Sequence, residues 1–261
     1  MNLFDADELA RLWPQPTVSD DKYSRGVVGV DTGSPRYPGA AILSTLGAVR
    51  SGAGFVRFCG ETPKDAVMAR CPSVTFGPGR VGAWVLGCGW DEDADDPARL
   101  ALRLADGRPC VIDAGALWVI DHALAFLGWH ALPVGCLLTP HAGELARLMA
   151  VERPEVVADP IGWASRAAER YGAAVLLKGA VQYAVDDETV LQAIPGPAWT
   201  AQAGSGDVLA GVAGTLLAAG FDAVEAGAMA ASLQAVTATY HPGPWAPDQL
   251  ADWFPEVIGA F

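Results

Sequence analysis

The chain has 261 residues, 51% of them hydrophobic and 18% charged, a composition that supports a sizeable core and excludes a disordered chain. Its 17 Lys and Arg face 30 Asp and Glu, and a net charge of -13 argues against nucleic acid or an anionic membrane surface as partner. The 30 glycines and 19 prolines follow no Gly-X-Y period, so the chain is not fibrous.

The first residues show neither the basic start nor the apolar stretch of a secretory signal. No later run reaches the roughly 18 apolar residues of a membrane span. Residues 3–13 read as a short helix, capped by Asp5 and stopped by Pro14. Residues 26–30 form an apolar strand before the turn Asp31-Thr32-Gly33-Ser34. Pro38 then opens a helix of small and apolar residues to about Ser51, with proline in the favoured first turn. Residues 54–58 and 84–86 are strand-like. Residues 91–105 read as a helix with acidic residues in its first turn, where they suit the dipole.

Residues 110–113, 135–138 and 174–177 repeat one theme, an apolar run with a polar or glycine-rich sequel. Helical stretches at 141–150 and 159–171 lie between them. Continuous apolar strands alternating with helices indicate a mostly parallel sheet covered on both faces. Residues 182–185 and 189–193 form an antiparallel hairpin expected at a sheet edge. Residues 204–219 and 222–240 close the chain as two long helices, and 241–247 is a proline-rich loop. With no repeat and no low-complexity linker, residues 1–261 read as one α/β domain. Cys59, Cys71, Cys88, Cys110 and Cys136 are odd in number and lack CxxC spacing, so they read as small buried hydrophobes in a reducing cytosol.

Ligands of open α/β sheets sit beyond the C-terminal strand ends. Asp31-Thr32-Gly33-Ser34, Gly87-Cys88-Gly89, Asp113-Ala114-Gly115, Thr139-Pro140-His141 and Lys178-Gly179 all follow apolar strands and should converge on one cleft. The sharpest motif is Gly204-Ser205-Gly206-Asp207, a small-residue turn entering a helix whose apolar positions 208, 209, 212, 216 and 217 share a face. Free N–H groups at such a helix start hold an anion, and the glycines let it approach the backbone. A carboxylate there either takes a proton from a hydroxyl during phosphoryl transfer or merely complements the helix dipole. Lys178 is either a cation for a phosphate or a solvated side chain. His141 is a candidate ligand contact, and Glu144 either serves a metal-linked water or complements its own helix. Asp113 is a ligand contact or a turn former. Gly77-Pro78-Gly79-Arg80-Val81-Gly82 satisfies GxGxxG, but a strand and not a helix follows it, so it is no dinucleotide fingerprint. There is no P-loop, and His122, His130 and His241 lack ligand spacing.

Together these segments resemble a known family. The Gly-Ser-Gly-Asp helix start, Thr139-Pro140-His141-Ala142-Gly143-Glu144, Lys178-Gly179, Lys22-Tyr23-Ser24-Arg25-Gly26 and Tyr37-Pro38-Gly39-Ala40-Ala41 stand in the order found in the ADP-dependent NAD(P)H-hydrate dehydratases, the carbohydrate-kinase-like family of the ribokinase superfamily. The resemblance implies a ribokinase-like three-layer α/β/α fold with an antiparallel edge hairpin. It implies repair of the hydrated cofactors NADHX and NADPHX at the expense of ADP (or ATP) with Mg2+, in a cytoplasmic homo-oligomer, a tetramer by analogy with relatives. Carried over, Asp207 is the catalytic base beside the substrate hydroxyl. Lys178, Gly179, Ala180, Val181, Gln182, Gly204, Ser205 and Gly206 contact the nucleotide, and Ala40, Gly89, His141 and Asp207 contact the hydrate. Glu144 serves the metal through a water. The stretch before Lys22 is too short for the N-terminal epimerase domain that many relatives carry, which is therefore expected to be absent. Two departures stand out: the family commonly has Gly-Pro-Gly-x-Gly at Gly87-Cys88-Gly89-Trp90, and Ala-Thr-Gly-Gly at Ala201-Gln202-Ala203-Gly204. A plain alcohol kinase of the same superfamily, acting on a thiazole or pyrimidine, is the rival enzyme; a non-catalytic nucleotide binder is the third reading.

Overall fold

The computed structural model describes residues 2–91 and 97–261. In chain order its strands are β1 (Asn2–Leu3), β2 (Val27–Asp31), β3 (Phe55–Phe58), β4 (Thr75–Phe76), β5 (Ala83–Leu86), β6 (Cys110–Ile112), β7 (Leu137–Leu138), β8 (Ala174–Leu177), β9 (Tyr183–Val185) and β10 (Val190–Gln192). Its helices are α1 (Ala6–Leu12), α2 (Pro38–Arg50), α3 (Lys64–Arg70), α4 (Pro97–Leu104), α5 (Ile120–Leu127), α6 (Ala142–Met149), α7 (Arg153–Ala158), α8 (Pro160–Tyr171), α9 (Ser205–Ala218), α10 (Ala223–Tyr240), α11 (Pro247–Ala251) and α12 (Phe254–Gly259).

The strands form one sheet in the order β1-β10-β9-β8-β7-β6-β5-β2-β3-β4. Every pairing is parallel except β8 with β9 and β9 with β10. The expected antiparallel hairpin is present at one end of the sheet, where Asn2 and Leu3 pair in parallel with Leu191 and Gln192 and add a two-residue outer strand. The expected helix over 3–13 accordingly starts only at Ala6, after Asp5 accepts the Glu8 N–H at 2.8 Å. The first turn expected at 91–96 falls largely outside the described residues; the helix is seen from Pro97.

Alternation along the strands builds the two faces. Ala83 and Val85 of β5 enter one apolar cluster with residues of α2, α9 and α10. Trp84 and Leu86 enter the other, with residues of α4, α5, α6 and α8. Successive side chains point to opposite faces, so a strand with both faces covered is apolar throughout. The same logic gives the three layers. Helix α9 is buried from Val208 to Leu217 rather than along one stripe, because it lies between the sheet and α2. Among the described residues no helix is long and apolar enough to cross a membrane.

Helices α2 and α9 meet through small residues. A β-carbon on Gly47 would run into the Val208 carbonyl oxygen, and one on Gly211 into the Ser44 carbonyl oxygen. Ser51 Oγ donates to Thr215 Oγ1 at 2.9 Å across the same contact. This approach fixes where the N-terminus of α9 stands. Gly211→Ala would gain about 1 kcal/mol of helix propensity on an open surface. Here it must push backbone from backbone, and overpacking costs about 1–3 kcal/mol or more. A net loss of stability is expected in urea unfolding; an alanine variant as stable as the parent would refute the close contact.

Candidate active site

The parallel strands bring their C-terminal ends to one side of the sheet, and the chemistry collects there. Asp113, just past β6, is 2% exposed. Its Oδ1 accepts from Lys178 Nζ at 2.6 Å and from Thr139 Oγ1 at 2.8 Å. Its Oδ2 accepts from the Cys88 thiol at 3.4 Å. Lys178 Nζ also stands 3.8 Å from Glu144 Oε2. Burial alone would lower the Lys178 ammonium; the Asp113 and Glu144 charges more than offset it and hold its pKa above the ordinary value.

Asp207 is the third residue of α9, whose N-cap is Gly204 at φ +93, a left-handed conformation that glycine adopts without strain. Burial, and then the like charge of Asp113, push its carboxyl up to about 7. Lys178 and a hydrogen bond from Cys88 pull the other way and do not prevail.

The Gly-Ser-Gly-Asp turn stands between two clefts. A cleft of about 750 Å³ is lined by Ala40, Gly89, Glu144, Gly204 and Asp207. A second, of about 540 Å³, is lined by Lys178, Gly179, Ala180, Gln182, Ser205 and Gly206. The sequence-derived residues therefore divide into two groups that flank one carboxylate. Three of them fall elsewhere: Gly204, expected with the nucleotide residues, lines the larger cleft instead. His141 lines the second cleft and not the one with Ala40 and Gly89. Its Nδ1 accepts the Gly143 and Glu144 N–H groups at 3.0 and 3.1 Å, while Glu144 Oε2 accepts the His141 N–H at 2.7 Å, a reciprocal cap at the start of α6. Val181 is 41% exposed and lines neither cleft. The larger cleft takes a backbone shape from Gly89 at φ +65, where a β-carbon would come within 2.5 Å of the Ala40 β-carbon.

Both sequence departures have structural work. Trp90 is buried at 6% exposure, and its Nε1 donates to the Asp31 carbonyl at 2.9 Å. Gln202 Nε2 donates to the carbonyls of Trp199 and Trp245, each at 2.8 Å, tying two loops beside the turn. Asp31 itself is buried and paired: Oδ2 accepts from Arg103 Nε at 2.8 Å, and Oδ1 bonds Arg99, so α4 is locked to the end of β2. Sequence reasoning gave Cys88 only a packing role and left Asp113 open between two. The signal was present, since each follows an apolar strand, but what each touches depends on strand order.

Residues 28–243 match the family model described as NAD(P)H-hydrate dehydratase. The chain belongs to this family. It is 42% identical over 232 residues to the bifunctional NAD(P)H-hydrate repair enzyme of Mycobacterium tuberculosis, covering 86% of this chain and 48% of that one. It thus spans about half the length of that relative. It is 32% identical over 228 residues to the ADP-dependent (S)-NAD(P)H-hydrate dehydratase of Neisseria meningitidis serogroup B, covering 82% of this chain and 76% of the other. The ADP/ATP-dependent NAD(P)H-hydrate dehydratase of Bacillus subtilis, co-crystallised with ATP and Mg2+, superposes with a TM-score of 0.88 at 22% identity, covering 99% of this chain and 98% of that one. The shared fold is ribokinase-like, with a mostly parallel sheet and helices on both sides.

The raised Asp207 carboxyl has a stability consequence. Its ordinary value is 3.8 and its folded value about 7, so between these pH values the folded chain holds a proton that the unfolded chain releases. Folding stability from this group is therefore greatest below pH 4, falls as the pH rises through 7, and is level above. Asp207→Asn removes the loss. The variant should gain stability over the parent progressively from pH 4 to 8, reaching up to roughly 4 kcal/mol. A variant less stable than the parent at every pH would instead mark Asp207 as a helix-dipole partner.

Proposed function

We propose that this chain is a nucleotide-dependent NAD(P)H-hydrate dehydratase, converting NADHX and NADPHX to NADH and NADPH while ADP becomes AMP and phosphate. The observation that carries this reading is one half-buried carboxylate, Asp207, at the seam between two clefts and at a helix N-terminus. The cleft of Ala40 and Gly89 takes the hydrate, and the cleft of Lys178 to Gln182 with Ser205 and Gly206 takes the nucleotide. His141 then stands on the nucleotide side, where its capping role orients Glu144.

Asp207 accepts the proton of the ring hydroxyl as its oxygen attacks the terminal phosphorus of ADP. The bond from that phosphorus to the bridging oxygen breaks, and AMP leaves. Gly206 and Asp207, as the second and third residues of α9, have N–H groups with no partner inside the helix, and these favour the transferred phosphoryl charge. The ring nitrogen's lone pair then expels phosphate with its C–O bond, and loss of a proton from the neighbouring carbon restores the dihydropyridine. Hydroxide is a poor leaving group and phosphate a good one, so a phosphoryl-transfer site suffices for a dehydration.

The donor set suits a divalent cation. Glu144 and Asp207 both line the larger cleft with hard carboxylate oxygens. Glu144 keeps acceptor capacity beyond the His141 N–H, since an ionised carboxylate has about four lone-pair sites. Glu144 would hold Mg2+ through a water. Bound there, the ion would offset phosphate charge. The reading extends to a cytoplasmic homo-oligomer. Five free cysteines and the exposed Phe126 and Val134 support it.

Three outcomes are expected. Turnover of NADHX with ADP should rise with pH through about 7, since the base works only when ionised. Asp207→Asn should keep nucleotide binding and lose about 10²–10⁴-fold in turnover. Recovery of dihydronicotinamide absorbance is the readout, and a stable phosphate ester in its place would identify the alcohol kinase. Excess EDTA should abolish the reaction; full activity in EDTA would remove the metal from the scheme.

A further inference from the structure

The smaller cleft holds a buried polar side chain that phosphoryl transfer does not use. Gln234 lies on α10, a helix buried along most of its length, and is 5% exposed. A glutamine is seldom so deep unless its amide is paired. Its Nε2 donates to the carbonyl of Ser205, the first residue of α9, at 2.9 Å. A carbonyl oxygen only accepts, so this bond fixes the direction of the amide: its NH2 group faces α9 and Oε1 is turned away. Among the described residues, Oε1 and the second N–H of Gln234 have no partner. The oxygen is nevertheless not sealed off, and the side chain borders the cleft of about 540 Å³, so the amide faces what that cleft holds. The cleft has two chemical ends. Lys178, Ser205 and Gly206 make a polar one at the start of α9, and Ile194, Leu209 and Ala235 make an apolar one beside Gln234. The chain after β10 is pressed onto α10 there: a β-carbon on Gly196 would stand 2.8 Å from that of Ala235, and the Ile194 N–H donates to Ser232 Oγ at 3.0 Å. Of the other amides on the wall, Gln202 already gives its Nε2 to two carbonyls, and Gln182 is only half-buried.

We propose that Gln234 reads the base of the nucleotide: Oε1 accepts from the 6-amino group of adenine, and the free N–H donates to the neighbouring ring nitrogen. This rests on the reading of the smaller cleft as the nucleotide's. A nucleoside diphosphate has a charged end and a planar, largely apolar end. With its phosphates at the start of α9, the base falls against Ile194, Leu209 and Ala235, within reach of the amide. A side-chain amide and adenine match as acceptor to amino group and donor to ring nitrogen. Guanine and hypoxanthine carry an oxygen in place of that amino group, so two acceptors would face each other. The amide cannot turn over to suit them without giving up the Ser205 carbonyl. Discrimination then comes from a bond lost and from a polar group left unpaired.

Isothermal titration calorimetry at constant Mg2+, with ADP and inosine diphosphate as probes, tests this by binding alone. The two nucleotides differ at the 6-position and in the proton on the adjacent nitrogen. The parent should bind ADP about 10–100-fold more tightly than inosine diphosphate. Gln234→Leu keeps an apolar side chain of similar length without hydrogen-bonding groups, and should shrink that preference to about 3-fold or less, chiefly by weakening ADP. Circular dichroism establishes that each variant folds. If the leucine variant does not, the parent's ratio of the two affinities decides alone. Equal affinities in the parent, or an undiminished ratio in Gln234→Leu, overturn the proposal. Ala180→Trp separates the two levels, because Ala180 is exposed on the same cleft and an indole there would fill it. Unchanged ADP affinity in that variant ends the nucleotide reading of the cleft and the proposal with it, whereas lost ADP binding there with an undiminished ratio in Gln234→Leu ends only the role of Gln234.

Discussion

Lys178 stands among more carboxylates than one ammonium can satisfy. Its Nζ bonds Asp113 at 2.6 Å and lies 3.8 Å from Glu144, while Asp207 feels it at longer range. In a low-dielectric pocket the nearest partner takes most of the charge. Asp113 is then the partner that holds the ammonium, braced further by Thr139. Asp207 is left with burial and a like charge, which together put its carboxyl near neutral pH. Position alone thus moves the Asp207 carboxyl away from its ordinary value. For the proposed role as base, a carboxyl poised near pH 7 is useful, because it both accepts a proton and gives it up again.

That division of charge depends on how closely the surrounding elements pack. Gly47 and Gly211 let α2 and α9 touch, which sets the height of α9 above the sheet and so the depth of Asp207. Gly87 brings the loop after β5 against Asp113, and Gly204 turns the chain into α9 in a conformation other residues resist. Asp31, gripped by Arg99 and Arg103, ties α4 to the end of the neighbouring strand β2. Each contact is a close approach that a larger residue would widen, and a site assembled from several strand ends has little tolerance for such movement.

The apolar runs at β2, β5, β6 and β8 made the parallel sheet legible, because strands covered on both faces need no polar side. Strand β1 was not legible: Asn2 and Leu3 show no pattern, and only their pairing with Leu191 and Gln192 makes them a strand. Helix α7 went unread for a similar reason, being short and started by a cap from Glu152 and Glu155 rather than by a clear apolar stripe. In the site, Gly204 to Asp207 announced itself because turn, helix start and carboxylate are contiguous. The contacts of Cys88 with Asp113, 25 residues on, and of Asp113 with Lys178, 65 residues on, are products of strand order. His141 illustrates the limit differently. Its motif is local, yet which cleft it borders depends on where α6 sits, and its ring is spent on capping that helix.

The same electrostatics links the proposed base to the counter-charge that a bound nucleotide would need. A phosphate placed at the start of α9 adds a like charge beside Asp207 and by itself would raise the carboxyl further, making it protonated at the moment it is needed. Helix dipole and N–H groups offset only part of this, since the dipole amounts to about half a unit charge. Lys178 cannot be diverted to the task without exposing Asp113 as an unpaired buried anion, at a cost of about 3–5 kcal/mol. The net charge of -13 gives no favourable background either. On the proposed reading, positive charge would therefore arrive with the nucleotide, and a divalent ion near Glu144 would be one form of it. On that reading a bound ion would favour the ionised form of Asp207 beside a phosphate, so metal dependence and general-base catalysis would be one electrostatic requirement.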